Sequence, residues 1–198
     1  MTKNIAFFDF DGTITTVDTL LEFIKFSKGR FRFYAGFLYC SPYLLAYKLR
    51  LIANHAAKEK VLKFFFRGTS LQDFNACCNQ FAATRLPRLI RPAALLQIES
   101  LQRQDFLVVI VSASPENWIL DWALKAGAEL LATKLEVERG TLTGRLSGNN
   151  CYGIDKVRRI KSSYQLDLFE KVYAFGDTVG DKPMLSLATS AFYKPFRN

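Results

Sequence analysis

The chain has 198 residues, 49% apolar and 23% charged, with a net charge of +9. That length fits one domain plus a modest insertion, and the apolar content is ample for a real core. A single histidine, His55, excludes a histidine-rich metal site, and Cys40, Cys77, Cys78 and Cys151 form no C-x-x-C pair or metal spacing.

The first apolar run, Ile5-Ala6-Phe7-Phe8, reads as a strand over about residues 4–9 and delivers Asp9-Phe10-Asp11-Gly12. Side chains two apart on a strand share a face, so Asp9 and Asp11 project together. Two such carboxylates repel unless a cation sits between them, and hard oxygen ligands suit Mg²⁺. A metal-clamped aspartate is also a nucleophile toward phosphorus. Taken alone, D-x-D-G reads first as a strand that ends in a polar turn. With no signal-peptide pattern at this end, the expectation is a reduced, cytoplasmic protein.

Residues 19–90 then read as helices throughout, over about 19–28, 31–53, 55–67 and 70–85, with bends or ends at Gly29, Pro42 and Gly68. Thr19-Leu20-Leu21-Glu22 matches a capping box at the first start. The surplus charge lies here: Thr19 to Pro92 holds thirteen Lys and Arg against three acids, and the remainder fourteen against fifteen. An aromatic, apolar run from Phe33 to Tyr47 is flanked by Lys28, Arg30, Arg32, Lys48 and Arg50. It is shorter than the roughly 20 apolar residues of a spanning helix, and Pro42 interrupts it. Three readings stay open: a buried or dimeric cap helix, a surface for bilayer headgroups, or a nucleic-acid contact. No nucleic-acid motif supports the last, so no nucleic-acid partner is expected.

Phe106 to Ser112 reads as a buried strand ending in Ser112-Ala113-Ser114. A helix follows over about 116–126, with Trp118 and Trp122 one turn apart on a core face. A strand at 129–133, a small hairpin at 142–146 and a helix at 155–164 containing Lys156 come next. A strand at 171–175 runs into Gly176-Asp177-Thr178-Val179-Gly180-Asp181, and a weaker one lies at 190–193. Strands alternating with helices predict an α/β fold with a doubly wound parallel sheet. Ligands of such sheets bind outside the carboxyl ends of the strands, where these motifs sit.

Asp9 and Asp11, then Ser112, then Lys156, then Asp177 and Asp181 resemble, in order, the four motifs of the haloacid-dehalogenase (HAD) superfamily of phosphohydrolases. The phosphoserine-phosphatase-like branch is most similar, over essentially the whole chain. The resemblance implies a HAD-like core over 1–17 and 91–198 and an inserted all-helical cap over 18–90. It implies Asp9 as nucleophile and Asp11 as general acid and base. Ser112 and Lys156 would hold the phosphoryl group, with amides of Phe10, Asp11 and Ala113 completing the cradle. Asp9, the Asp11 main-chain carbonyl and Asp177 would bind Mg²⁺, with Asp181 acting directly or through water. Phosphoserine phosphatases carry glutamate where this chain has Asp18, so Asp18 is read either as a specificity residue or as part of the helix start.

The apolar cap run resembles that of phosphatidylglycerophosphate phosphatases. The partner implied is therefore a small phosphorylated substrate or a phospholipid headgroup, with peripheral contact at the inner membrane face through the cap. A phosphomutase and a non-catalytic phospholipid-binding protein are the rival readings.

Overall fold

The computed structural model describes residues 3–197. Five parallel strands form the central sheet: β1 (Asn4–Phe8), β2 (Phe106–Pro115), β3 (Glu129–Thr133), β6 (Lys171–Gly176) and β7 (Ser190–Tyr193). Their order is β3-β2-β1-β6-β7. The doubly wound parallel sheet is therefore present, and both of its faces are covered. Ile5 and Phe7 of β1 pack on one side with Val109, Ile160 and Met184. Ala6 and Phe8 pack on the other with Val108, Ile110 and the cap. Burial on both faces is why β1 reads as an unbroken apolar run.

Between β1 and β2 the segment read above as the cap forms α1 (Thr19–Lys48), α2 (Asn54–Phe66) and α3 (Leu71–Thr84). The expected break at Gly29 appears as a kink, with φ 79° and ψ 161° at that residue, so two helical stretches join across it. The second stretch ends at Lys48, short of the expected 53. Pro42 lies inside the helix without ending it. Proline cannot donate to the carbonyl one turn back, and the Ser41 hydroxyl donates to Leu38 O instead, at 2.7 Å. The capping-box expectation at Thr19 is corrected. Asp18 is the cap, its carboxylate accepting from Leu21 N at 3.1 Å. Thr19 Oγ1 instead accepts from the Trp118 indole at 3.0 Å.

Residues 92–102 form α4, which carries the chain back to β2. The helix expected over 116–126 is a 3₁₀ turn at Glu116–Trp118 followed by α5 (Leu120–Lys125). Trp118 is fully buried and stacks on Phe23 at 4.6 Å, and Phe23 also meets Phe66, Phe74 and Phe81. This aromatic cluster fastens the cap to the sheet's upper layer. The remaining α-helices among the described residues are α6 (Ile154–Ser163) and α7 (Lys182–Leu185).

The hairpin begins earlier than expected, as β4 (Leu135–Glu138) and β5 (Thr141–Leu146). It packs on the cap: Gly68 N donates to Leu142 O, Leu142 N to Thr69 O, and Leu71 N to Gly140 O, all at 2.8–2.9 Å. A Cβ at Gly144 would stand 2.5 Å from the Lys63 backbone, so only glycine lets β5 lie this close to α2.

Candidate active site

β1 and β6 pair in register, Phe8 opposite Phe175, so Asp9 and the Gly176-Asp177 turn emerge side by side. Asp9 N continues the pairing by donating to Phe175 O at 2.9 Å. Behind Asp9 the chain turns sharply at Gly12, which has φ 83°. A Cβ at Gly12 would stand 2.5 Å from Asp177 Oδ2, so the residue between the acid motifs must be glycine.

Lys156 sits in the first turn of α6 and is 1% exposed. Its ammonium donates to Asp9 Oδ1 at 2.5 Å and to Asp181 Oδ1 at 2.7 Å. Burial disfavours that ammonium, but the facing Asp9 and Asp181 charges outweigh it and raise its pKa. The same pairing, acting against burial, holds Asp181 below the usual carboxylate range. Asp181 Oδ2 also accepts from Thr178 N at 2.9 Å, Thr178 Oγ1 at 2.8 Å and Asp177 N at 3.2 Å. Thr13 Oγ1 lies 3.0 Å from Asp9 Oδ2 and 3.3 Å from Asp177 Oδ1. One hydroxyl proton serves both. The other Asp177 oxygen, Oδ2, pairs with the Arg197 guanidinium.

Carboxylate oxygens of Asp9, Asp177 and Asp181 lie within 4.8 Å of one another, all three residues being buried. Negative charge is in excess there. Burial, with Asp181 and Asp11 adding to it against the pull of Lys156, pushes Asp9 up to about 7. Burial and Asp181 also push Asp177 upward, against Arg197. An oxygen-only donor set with surplus negative charge fits a small divalent cation. Asp9 and Asp177 offer the less engaged oxygens. The Asp11 carboxylate is turned elsewhere: Oδ1 accepts from Thr19 N at 2.7 Å and Oδ2 from Ser114 Oγ at 2.6 Å. It is held between the end of β2 and the start of the cap.

Ser112 lies on β2, beneath the surface of the cavity. It is fully buried, its hydroxyl accepts from Ser114 N at 3.0 Å, and it does not line the cavity above the acids, whereas Ala113 and Ser114 do. That cavity has a volume of about 530 Å³. Its floor is Asp9, Asp11, Lys156, Asp177 and Asp181, and its cap wall includes Leu20, Leu21, Phe37, Leu44 and Val61. Asp18 is on the rim as well as capping α1. Burial of its carboxyl and the Asp11 charge push it up to about 6, although much of the residue is open to solvent.

Sequence reasoning missed Thr13, Ser114, Lys58, Asn150 and Arg197. Lys58 reaches down from α2, donating to Ala113 O and to Asn150 Oδ1. Burial lowers it to about 8 against the opposing pull of Asp11 and Asp18. In the sequence it is one of several lysines on a helix that begins at Asn54, and nothing there marks it out. Thr13 and Ser114 each neighbour a motif, which was the only available signal.

The family model for haloacid dehalogenase-like hydrolases matches residues 6–186. Protein CicA of Caulobacter vibrioides is 34% identical over 194 residues, covering 96% of this chain and 85% of that protein. Among solved structures, a Bordetella pertussis Tohama I protein of unknown function superposes with a TM-score of 0.81 at 21% identity, over 96% of this chain and 89% of that one. A phospho-aspartyl intermediate analogue of phosphoserine phosphatase gives 0.62 at 17%, over 96% and 86%.

Proposed function

We propose that this chain, which belongs to the haloacid dehalogenase-like hydrolase family, is a Mg²⁺-dependent phosphomonoesterase working through an aspartyl phosphate on Asp9. The observation that carries the reading is the buried ammonium of Lys156 against Asp9 at the floor of an apolar-walled cavity. The phosphoserine phosphatase structure with a phospho-aspartyl analogue, which shares the fold, supports the same chemistry.

In the first step an Asp9 oxygen bonds to phosphorus and the bond from phosphorus to the ester oxygen breaks. Asp11 gives the departing oxygen a proton. In the second step Asp11 takes a proton from water, the water oxygen bonds to phosphorus, and the bond to Asp9 breaks. Lys156 favours the ionised form of Asp9 against the effect of burial and presents a cation to the phosphoryl oxygens. Asp9 and Asp177, with Asp181 beside them, would hold the magnesium ion. When bound, it offsets the repulsion between carboxylate and phosphate. The apolar cap wall favours a leaving group with a hydrocarbon portion over one as polar as serine. A screen of phosphoserine, sugar phosphates, nucleotides and lipid phosphates tests the reading. Hydrolysis of none, or full activity in excess chelator, would reject it.

Mg²⁺ binding has a readout apart from turnover. Adding it to chelator-treated protein at about 100 times its Kd stabilises the native state by about 2.7 kcal/mol. For a chain of this size that is a rise in Tm of about 5 °C or more. Asp177→Ala is expected to remove the rise. Identical melting curves of wild type in chelator and in Mg²⁺ would refute the site.

Lys58 gives a third test. Two of its three N–H donors are engaged by Ala113 and Asn150, and the remaining one is available to the leaving group. A charged hydrogen bond contributes about 1.5–3 kcal/mol, so Lys58→Met is expected to raise KM by roughly tenfold or more with a smaller change in kcat. Because Lys58 is lowered to about 8, its charge is present below that pH and lost above it. The wild-type KM therefore rises above about pH 8, and the variant's does not. Superimposable KM profiles would discount the role.

A further inference from the structure

The second stretch of α1 has two apolar faces, and the cap buries only one. Phe33, Phe37, Cys40 and Leu44 turn inward. On the other side Phe31, Tyr34, Leu38, Pro42, Leu45 and Leu49 recur at steps of three or four residues, making one stripe. Phe31, Leu38 and Leu45 are 87%, 76% and 57% exposed, so these large side chains meet solvent rather than core. Tyr39, 66% exposed, extends the stripe toward Phe64 of α2, with ring centroids 5.1 Å apart. Apolar patches of this extent mark interaction surfaces.

The charges around the stripe are of one sign. No Asp or Glu occurs between Glu22 and Glu59, while Arg30 and Arg32 stand at one end of the stripe and Lys48 and Arg50 at the other, all exposed. From this juxtaposition we infer that the outer face of α1 docks on an anionic bilayer surface. The helix lies in the interface plane with its stripe among the headgroups and upper acyl chains. No helix among the described residues is long and apolar enough to cross a membrane, which agrees with lying on the surface rather than spanning it. Charge selects this occupant over a second copy of the chain, because paired copies would set the same cations against each other. Leu38, Leu45 and Leu49 match acyl chains and have nothing to offer a nucleic-acid backbone. The inward face of the same helix lines the cavity through Phe37, Leu44 and Tyr47, so the docked element is also the cavity's wall.

The test is co-sedimentation with phosphatidylcholine vesicles, with and without phosphatidylglycerol. The protein is expected to bind the phosphatidylglycerol vesicles and to be released by salt. Two variants divide the surface. One carries Phe31→Ser, Leu38→Ser and Leu45→Ser, and the other Arg30→Gln, Arg32→Gln, Lys48→Gln and Arg50→Gln. Each is expected to lower the partition coefficient by about tenfold or more. Neither set of residues lines the cavity, so hydrolysis of a soluble phosphate ester by both variants stays near wild type. That readout fails separately if the phosphatase reading is wrong. Indifference of the wild type to phosphatidylglycerol at low salt would overturn the inference, as would binding unaffected by the serine changes. A dimer in sedimentation equilibrium that the serine changes dissociate would also overturn it, by assigning the face to a second copy.

Discussion

Asp9→Asn is expected to lower phosphoester turnover by at least about thousandfold while the fold stays in place. The amide has nearly the shape of the carboxylate but is a poor nucleophile, and loss of a covalent nucleophile typically removes most of an enzyme's rate. The surroundings accept the change in size. The amide oxygen can accept from Lys156, and its NH2 can donate to Thr13 Oγ1, whose own proton then goes to Asp177 Oδ1. Beryllium fluoride, a phosphoryl mimic, is expected to bind wild type and not the variant. The kinetic comparison is decisive: turnover by Asp9→Asn within a few-fold of wild type would end the covalent mechanism.

Lys156→Met is expected to abolish turnover and also to destabilise the fold, by about 3–5 kcal/mol. The ammonium is 1% exposed and bridges two buried acids. Removing it leaves Asp9 and Asp181 side by side without their shared cation, and Asp177, which pairs with Arg197, close by. Methionine keeps the stem volume, so the loss is electrostatic and not a cavity. The pH dependence separates the two. In wild type Asp181 is held low, so its contribution is present above the ordinary carboxylate pKa and is lost as pH falls through its depressed value. In Lys156→Met the unpaired acids favour protonation, and the variant's deficit narrows in acid. Urea denaturation at two pH values measures this, and a deficit unchanged by acid would reject it.

What was legible in the sequence was local. The apolar run of β1, the alternation of strands and helices, and the break at Gly29 all follow from side-chain periodicity and backbone preference, which a linear reading captures. The order of Asp9, Lys156 and Asp177 along the chain was enough to expect one shared site at the strand ends. Features that depend on which of two adjacent side chains finds a partner were not legible. Asp18 and Thr19 are both competent caps. The structure gives the role to Asp18 because Thr19 Oγ1 is taken by Trp118, 99 residues away. Ser112 and Ser114 both lie near the end of β2, and only the fold shows that Ser114 is the one bonded to Asp11. Lys58 and Arg197 become site residues only through tertiary contacts with Asn150 and Asp177, which no nearby residue foretells.

The hairpin of β4 and β5 changes where the molecule can bend. By chain order the cap is joined to the core at two crossings, and those two would serve as its hinge. Three backbone hydrogen bonds to residues 68–71 and the tight seating of Gly144 on Lys63 add a third anchorage, one contributed by the core's own chain. Any swing of α2 and α3 away from the acids must therefore drag the hairpin along or strip those bonds. A cap that carries the hairpin with it has to bend at four chain crossings, the two ends of the inserted segment and the two ends of the hairpin, where the chain of the cap alone would give two.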